Sequence, residues 1–358
     1  MNMFDRRRFL QAALASLGAA GYGASVLAAQ QDSPNGLPTR PLGKTGQRVS
    51  IIGLGGFHIG TCEEKEAIAI MHEAIDEGLT FFDNSWDYHM GGSEEKMGKA
   101  LATGGRRDRV FLMTKCCARD YKTAREHLED SLRRLRTDVI DLWQYHEINW
   151  DIDAEWLFDR GAVRCALEAR REGKVRFIGF TGHKDYSHML KTLERQYQWE
   201  GKPFHWDTVQ MPLNLLDAHY RPFQKHLLPE AVKREVAVIG MKGLSGGLLP
   251  EKLGVPAELC RQFVLSLPIA SLICGIRSRK DLRQDIAIAR NFKPLTQERI
   301  DELLAQTKQP GAEGKYELYK TTRYGSEYHF KQHGEYAAAA RGTATACPLQ
   351  QTAPEASR

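Results

Sequence analysis

From residue 48 onward, short apolar runs alternate with stretches of helical period. The runs are VSIIGLG (49–55), TFFD (80–83), VFLMTK (110–115), IDLWQYH (140–146), RFIGFT (176–181), TVQM (208–211), VAVIGMK (236–242) and SLICG (271–275). Between most of them lie helix-like segments such as EEKEAIAIMHEAIDEG (63–78), SEEKMGKALA (93–102), TAREHLEDSLRRL (123–135) and AEWLFDRGAVRCALEARREG (154–173). In 123–135, Ala124, His127, Leu128, Leu132 and Leu135 fall on one helical face. Eight short strands alternating with helices predict parallel βα units. Eight such units over about 250 residues are the size of an α/β fold closed on itself, a (β/α)8 TIM barrel. The competing open, doubly wound sheet calls for a Gly-rich GxGxxG fingerprint after its first strand, and GLGGFHIG has the wrong register for one.

The flanks extend this picture. LPTRPLGKTGQRVS (37–50) carries a Gly-Lys-Thr-Gly turn between two extended runs and predicts a β-hairpin that plugs the barrel bottom. RKDLRQDIAIARNF (279–292) and TQERIDELLAQTKQ (296–309) predict two extra C-terminal helices. The expected organisation is a barrel over 37–310, an aromatic-rich extension over 311–336 that packs back on it, and a tail over 337–358. That tail has a single large apolar residue, Leu349, and is expected to be disordered.

The first 29 residues are different in kind. Arg6, Arg7 and Arg8 precede an apolar, small-residue stretch, the order of a signal peptide. Arg6-Arg7 followed by Arg8, Phe9 and Leu10 resembles a bacterial twin-arginine signal, with cleavage expected near Ala28 or Ala29. The twin-arginine export machinery is then an expected partner, the periplasm the expected location, and no membrane span is expected in the mature chain. The seven cysteines are irregularly spaced, with no CxxC pair, so neither a disulfide framework nor a zinc or iron–sulfur site is expected. Unpaired thiols in an exported protein fit folding in the reducing cytoplasm before export. The net charge of +5 is scattered, which argues against nucleic-acid binding.

Three strands end in polar groups. TFFD ends in Asp83, VFLMTK in Lys115 and DLWQYH in His146, while Tyr88 follows just after Asp83. In such a barrel the chemistry lies at the C-terminal ends of the strands, so these four side chains are expected to converge. Lys115 can neutralise Asp83, and a nearby ammonium is expected to lower the pKa of the Tyr88 phenol. The set suits proton donation to an oxygen that gains negative charge, with His146 orienting that oxygen.

These motifs make the chain resemble the aldo-keto reductase superfamily over roughly residues 38–305. PLGKTGQRVSIIGLGG resembles the family's N-terminal hairpin and first strand, and FFDNSWDY…GGSEEKMGKAL its Asp-x4-Tyr motif and following helix. The resemblance implies reduction of a small-molecule aldehyde or ketone by hydride from NADP(H), with NAD(H) the lesser alternative. Tyr88 would be the acid, Lys115 and Asp83 would tune it, and His146 would orient the carbonyl. Thr181 stands in the nicotinamide-binding position, followed by Gly182 where the family usually has Asn; Gln210 and Met241 match further nicotinamide contacts. Lys242 and Leu244 fall in the pyrophosphate loop, and Arg277, Ser278, Arg279, Lys280, Gln284 and Asp285 in the adenine-ribose region, where positive charge favours a 2′-phosphate. His58, His183, Trp86, His89 and Trp150 are candidate pocket walls. Two other readings remain open: a Schiff-base lyase or aldolase at Lys115, and a non-catalytic NADP-binding redox sensor.

Overall fold

The computed structural model describes residues 30–32 and 36–321. The expected signal peptide, the later part of the C-terminal extension (322–336) and the expected disordered tail (337–358) lie outside the described residues.

Eight parallel strands close into a barrel: β1 (Ile52–Gly55), β2 (Phe81–Asp83), β3 (Phe111–Cys116), β4 (Ile140–Tyr145), β5 (Val175–Thr181), β6 (Thr208–Pro212), β7 (Ala237–Met241) and β8 (Ser271–Cys274). Each pairs with its sequence neighbours, and β8 closes onto β1. All eight coincide with the predicted apolar runs to within a few residues. The run 49–55 is divided: Arg48–Ser50 belongs to the hairpin and only Ile52–Gly55 to the barrel.

Side-chain parity organises the interior. Successive residues of a strand face opposite sides. Phe81, Phe111, Met113, Leu142, Ala237, Ile239, Ala270 and Ile273 form one enclosed apolar cluster inside the barrel. Two residues beyond Phe81, Met113 and Ile239 come Asp83, Lys115 and Met241, so these share the inward face one layer higher. Two and four residues beyond Leu142 come Gln144 and His146, on the same face. Apolar layers thus fill the lower barrel, and polar groups collect at its C-terminal end.

The bottom is closed by the hairpin, in which Pro38–Pro41 pairs antiparallel with Arg48–Ser50. Leu42 and Val49 join the interior apolar cluster, the plug predicted from the sequence. Arg40 anchors the hairpin by donating to the carbonyls of Ile269 (3.0 Å) and Leu265 (2.9 Å).

The helical layer includes α1 (Glu64–Asp76), α2 (Gly92–Leu101), α3 (Tyr121–Leu135), α4 (Ala162–Arg171), α5 (Tyr186–Glu194), α6 (Phe223–Lys233), α7 (Ala257–Leu265), α8 (Arg279–Arg290) and α9 (Gln297–Gly311). The single helix expected over 154–173 is two: Asp153–Asp159 and α4, separated at Gly161 with φ 82°. That left-handed backbone suits glycine and interrupts the helix. No helix among the described residues is long and apolar enough to cross a membrane.

Beyond α9, the described end of the chain folds back over the barrel. Tyr319 and Lys320 are buried. Lys320 donates to Asp217 (2.7 Å), to Glu317 (3.0 Å) and to the Tyr220 carbonyl (2.7 Å). Ser245 donates through its hydroxyl to the Tyr316 carbonyl, which fastens this strap to the loop after β7.

Candidate active site

The loop after β2 is tied to β3 before it reaches Tyr88. The Asn84 amide donates to Met113 O (2.8 Å) and the Trp86 amide to Lys115 O (3.0 Å). Tyr88 then opens a tight turn in which His89 and Met90 take left-handed φ values of 53° and 55°. This fixed path aims the Tyr88 phenol back over the barrel axis. The buried Lys115 ammonium donates to the Asp83 carboxylate, to the Asn84 carbonyl (2.6 Å) and to the Tyr88 hydroxyl (3.4 Å). The Tyr88 and His146 rings meet edge to face, 5.6 Å between centroids. The four side chains expected to converge do so.

Electrostatics corrects one expectation. The Tyr88 phenol is held well above its ordinary value rather than lowered. Burial is the main cause, and the carboxylates of Asp83, Asp87 and Glu147 push the same way. Taking a group out of water disfavours its charged form, and here that outweighs the single ammonium. Burial also raises Asp83, with Lys115 the chief opposing influence. The Tyr88 phenol is therefore protonated at neutral pH, with the Lys115 ammonium 3.4 Å from its oxygen.

The His146 Nδ1 edge faces Asp87 Oδ1 (3.1 Å), the Ser85 hydroxyl (3.1 Å) and Cys117 Sγ (3.6 Å). Arg119 fixes the backbone here, donating to the carbonyls of His146 (2.7 Å) and Glu147 (3.0 Å) while paired with buried Asp153 (2.7 Å). Ser85, Asp87, Cys117, Arg119 and Glu147 were not singled out from the sequence. Ser85 and Asp87 lie inside the Asp83–Tyr88 segment, which was the one available signal.

The residues matched to a nicotinamide cofactor divide into two sets. On the barrel side, Gln210 hydrogen-bonds the Asp83 carboxylate. Its Oε1 is buried without a hydrogen-bond partner, an acceptor suited to an amide N–H. Thr181 is buried beside it in register, and Met241 is half-buried at the end of β7. Gly182 has a packing reason: a Cβ there would lie 2.6 Å from the Ile148 carbonyl oxygen and 2.8 Å from Met189 Sδ. On the phosphate side, Lys242, Ser245, Gly246 and Gly247 take φ values of 58°, 50°, 70° and 97°. Such left-handed turns can present backbone N–H groups to an anion. Leu244 lies in this loop, packed against the core. Burial and then the charges of Arg277, Lys242 and Arg261 hold His58 down at about 4, so cations converge at the ends of β7 and β8. The donor set fits a phosphorylated nicotinamide cofactor.

The remaining nucleotide candidates are partly engaged elsewhere. Ser278 caps α8 by accepting from the Asp281 amide (3.1 Å). Arg279 faces Glu66 and Glu73 of α1, each at 3.7 Å. The Asp285 carboxylate is taken up by buried Arg261 (3.0 and 3.2 Å). Lys280 and Gln284 are exposed.

Among the expected pocket walls, Trp86 turns away, stacked on His127 at 3.5 Å and donating to Asp130 (3.2 Å). His89 hydrogen-bonds the Phe57 carbonyl (2.8 Å). Phe57, not singled out from the sequence, meets the Tyr88 ring edge to face at 5.4 Å and is 46% exposed; Met90 is 80% exposed. These two form an apolar rim at the mouth.

The model of the Aldo/keto reductase family matches residues 51–255. The chain is similar to an uncharacterized oxidoreductase, YrpG, of Bacillus subtilis (35% identity over 237 residues, 59% of this chain and 68% of that protein). It is also similar to the aldo-keto reductase YhdN of the same organism (32% identity over 230 residues, 58% of this chain and 62% of that protein). Among solved structures, an aldo/keto reductase from Klebsiella pneumoniae in complex with NADP and acetate superposes with TM-score 0.60 and 26% identity, over 74% of this chain and 94% of that one.

Proposed function

The chain belongs to the aldo/keto reductase family, an NAD(P)H-dependent oxidoreductase, and from that premise we propose that it reduces a small organic aldehyde or ketone to the alcohol, with Tyr88 as the proton donor and NADPH as the preferred cofactor. The convergence of Asp83, Lys115, Tyr88 and His146 at the barrel mouth carries this reading. A nicotinamide cofactor held at this site would supply hydride for the carbonyl carbon. The chain's own residues govern the oxygen. His146 orients it by a hydrogen bond. Tyr88, kept protonated by burial, delivers its proton as negative charge grows there. Lys115 stabilises the phenolate left behind, and Asp83 holds the ammonium in place.

Gln210 and Thr181 would hold the carboxamide and Met241 would pack on the ring face. The loop around Lys242 and Leu244 would take the pyrophosphate. Arg277 and the exposed Lys280 would meet a 2′-phosphate, which supports NADP over NAD; Arg279, engaged with α1, would contribute less. The rim of Phe57 and Met90 favours a carbonyl carried on an apolar body.

An imine at Lys115 is the weaker reading. Asp83, Asn84 and Tyr88 engage Lys115 Nζ in all three donor directions, whereas a Schiff-base amine must present its lone pair to a carbonyl. The twin-arginine-like N-terminus supports export to the periplasm with the nucleotide already bound and recycled in place.

The test has two parts. Nucleotide released from protein purified from the periplasm is identified by chromatography, with NADP(H) expected at close to one per chain. Carbonyl-dependent NADPH oxidation is then compared in wild type and Tyr88→Phe; equal rates in the two would reject the reading.

A further inference from the structure

The His146 surroundings hold a feature the reductase reading does not use. Asp87, Cys117 and His146 come from three separate segments, all buried, with one donor atom of each within 4.8 Å of the others. Cys117 Sγ and Asp87 Oδ1 both approach the same imidazole nitrogen, Nδ1, at 3.6 and 3.1 Å. A nucleophilic triad would place thiol and carboxylate on opposite ring nitrogens, so this arrangement is not a relay. All three donor atoms lie close enough together to share one centre. In a tetrahedral zinc site with bonds of about 2.0–2.3 Å, neighbouring donors lie roughly 3.3–3.6 Å apart.

We propose that Asp87 Oδ1, Cys117 Sγ and His146 Nδ1 form a binding site for a thiophilic divalent cation of the Zn2+ class. Thiolate, imidazole and carboxylate together match the borderline-soft preference of that ion. A thiolate and a carboxylate balance its two charges, and Glu147 adds nearby negative charge while Arg119 opposes it. Arg119 is itself neutralised by Asp153. The Ser85 hydroxyl donates to the Asp87 carboxylate, so it holds that ligand from outside. On binding, the thiol proton leaves to solvent, and the cation on Nδ1 fixes the remaining ring proton on Nε2. No sequence spacing announces this site, because strand and loop ends that are far apart in the chain bring its members together. It stands on donor geometry and does not depend on the reductase reading.

Untagged full-length protein, stripped with chelator, is titrated with Co2+ and followed by absorption. The expected result is one ion per chain, a near-ultraviolet thiolate-to-cobalt band and its loss when Zn2+ displaces the cobalt. Cys117→Ser is expected to abolish the band while circular dichroism stays native. Ser85→Ala, which leaves all three ligands, is expected to weaken binding by about 10–100-fold with the band intact. Absence of a thiolate band in folded wild type, or a band that survives Cys117→Ser, would overturn the proposal.

Discussion

Two buried lysines sit near the same end of this barrel and do different things. Lys115 faces one carboxylate, Asp83, and a phenol. Lys320 faces two carboxylates, Asp217 and Glu317, and is wholly enclosed, as is Asp217. Both clusters are costly to desolvate, and burial raises the carboxylates in each. The difference lies in completeness. The Lys320 cluster closes upon itself and locks the strap to the loop after β6. Around Lys115 the network is open: Tyr88 reaches the apolar rim, and Gln210 keeps a buried acceptor without a partner. A buried charge alone does not mark a reactive centre; a buried charge whose network ends in unmet valence does.

Tyr88→Phe breaks this contrast most sharply. Carbonyl reduction is expected to fall by about 10²–10⁴-fold, measured as kcat, with little change in Tm. Lys320→Met should do the reverse on stability: it strands two carboxylates and is expected to cost about 3–5 kcal/mol, read from denaturant unfolding. Lys115→Met should show both losses at once. Gly182→Asn sharpens the comparison at the cofactor side. It restores the side chain common in the family yet forces a Cβ against Ile148 and Met189. A loss of about 1–3 kcal/mol is expected, as for other overpacked sites.

Acidity gives two smaller tests of opposite sign. Asp217 and Glu317 have folded pKa values raised above their ordinary 3.8 and 4.5. The folded state then binds more protons, so their contribution is complete below those ordinary values and is lost as pH rises through the raised ones. His58 runs the other way. It is depressed from 6.5 to about 4, so its contribution is present above pH 6.5 and lost as pH falls towards 4. The urea midpoint of wild type should fall relative to that of His58→Gln as pH drops from 6.5 towards 4, with a constant difference between them above pH 6.5.

Much of this was legible in the chain. Strand runs of the right length, and polar residues at the ends of three of them, gave the barrel and placed Asp83, Lys115 and His146 on one rim. Strand parity does the rest, because a residue two beyond a core position shares its face. The direction of the Tyr88 shift was not legible, since desolvation depends on what distant segments enclose the ring. The Lys320 cluster was hidden for a related reason: Asp217 and Lys320 are 103 residues apart. The break at Gly161 sat in plain view as Arg-Gly within a helical period, but a lone glycine does not declare whether its φ is positive.

The hairpin that stoppers the barrel bottom has a kinetic consequence. With Leu42 and Val49 seated among the interior side chains, the bottom of the barrel is sealed. Whatever enters past Phe57 and Met90 must leave by the same opening, so arrival and departure compete for one doorway. At high concentration a second substrate molecule lodged there would trap the product of the first. Velocity should then decline at substrate excess, and trimming Phe57 should relieve the congestion.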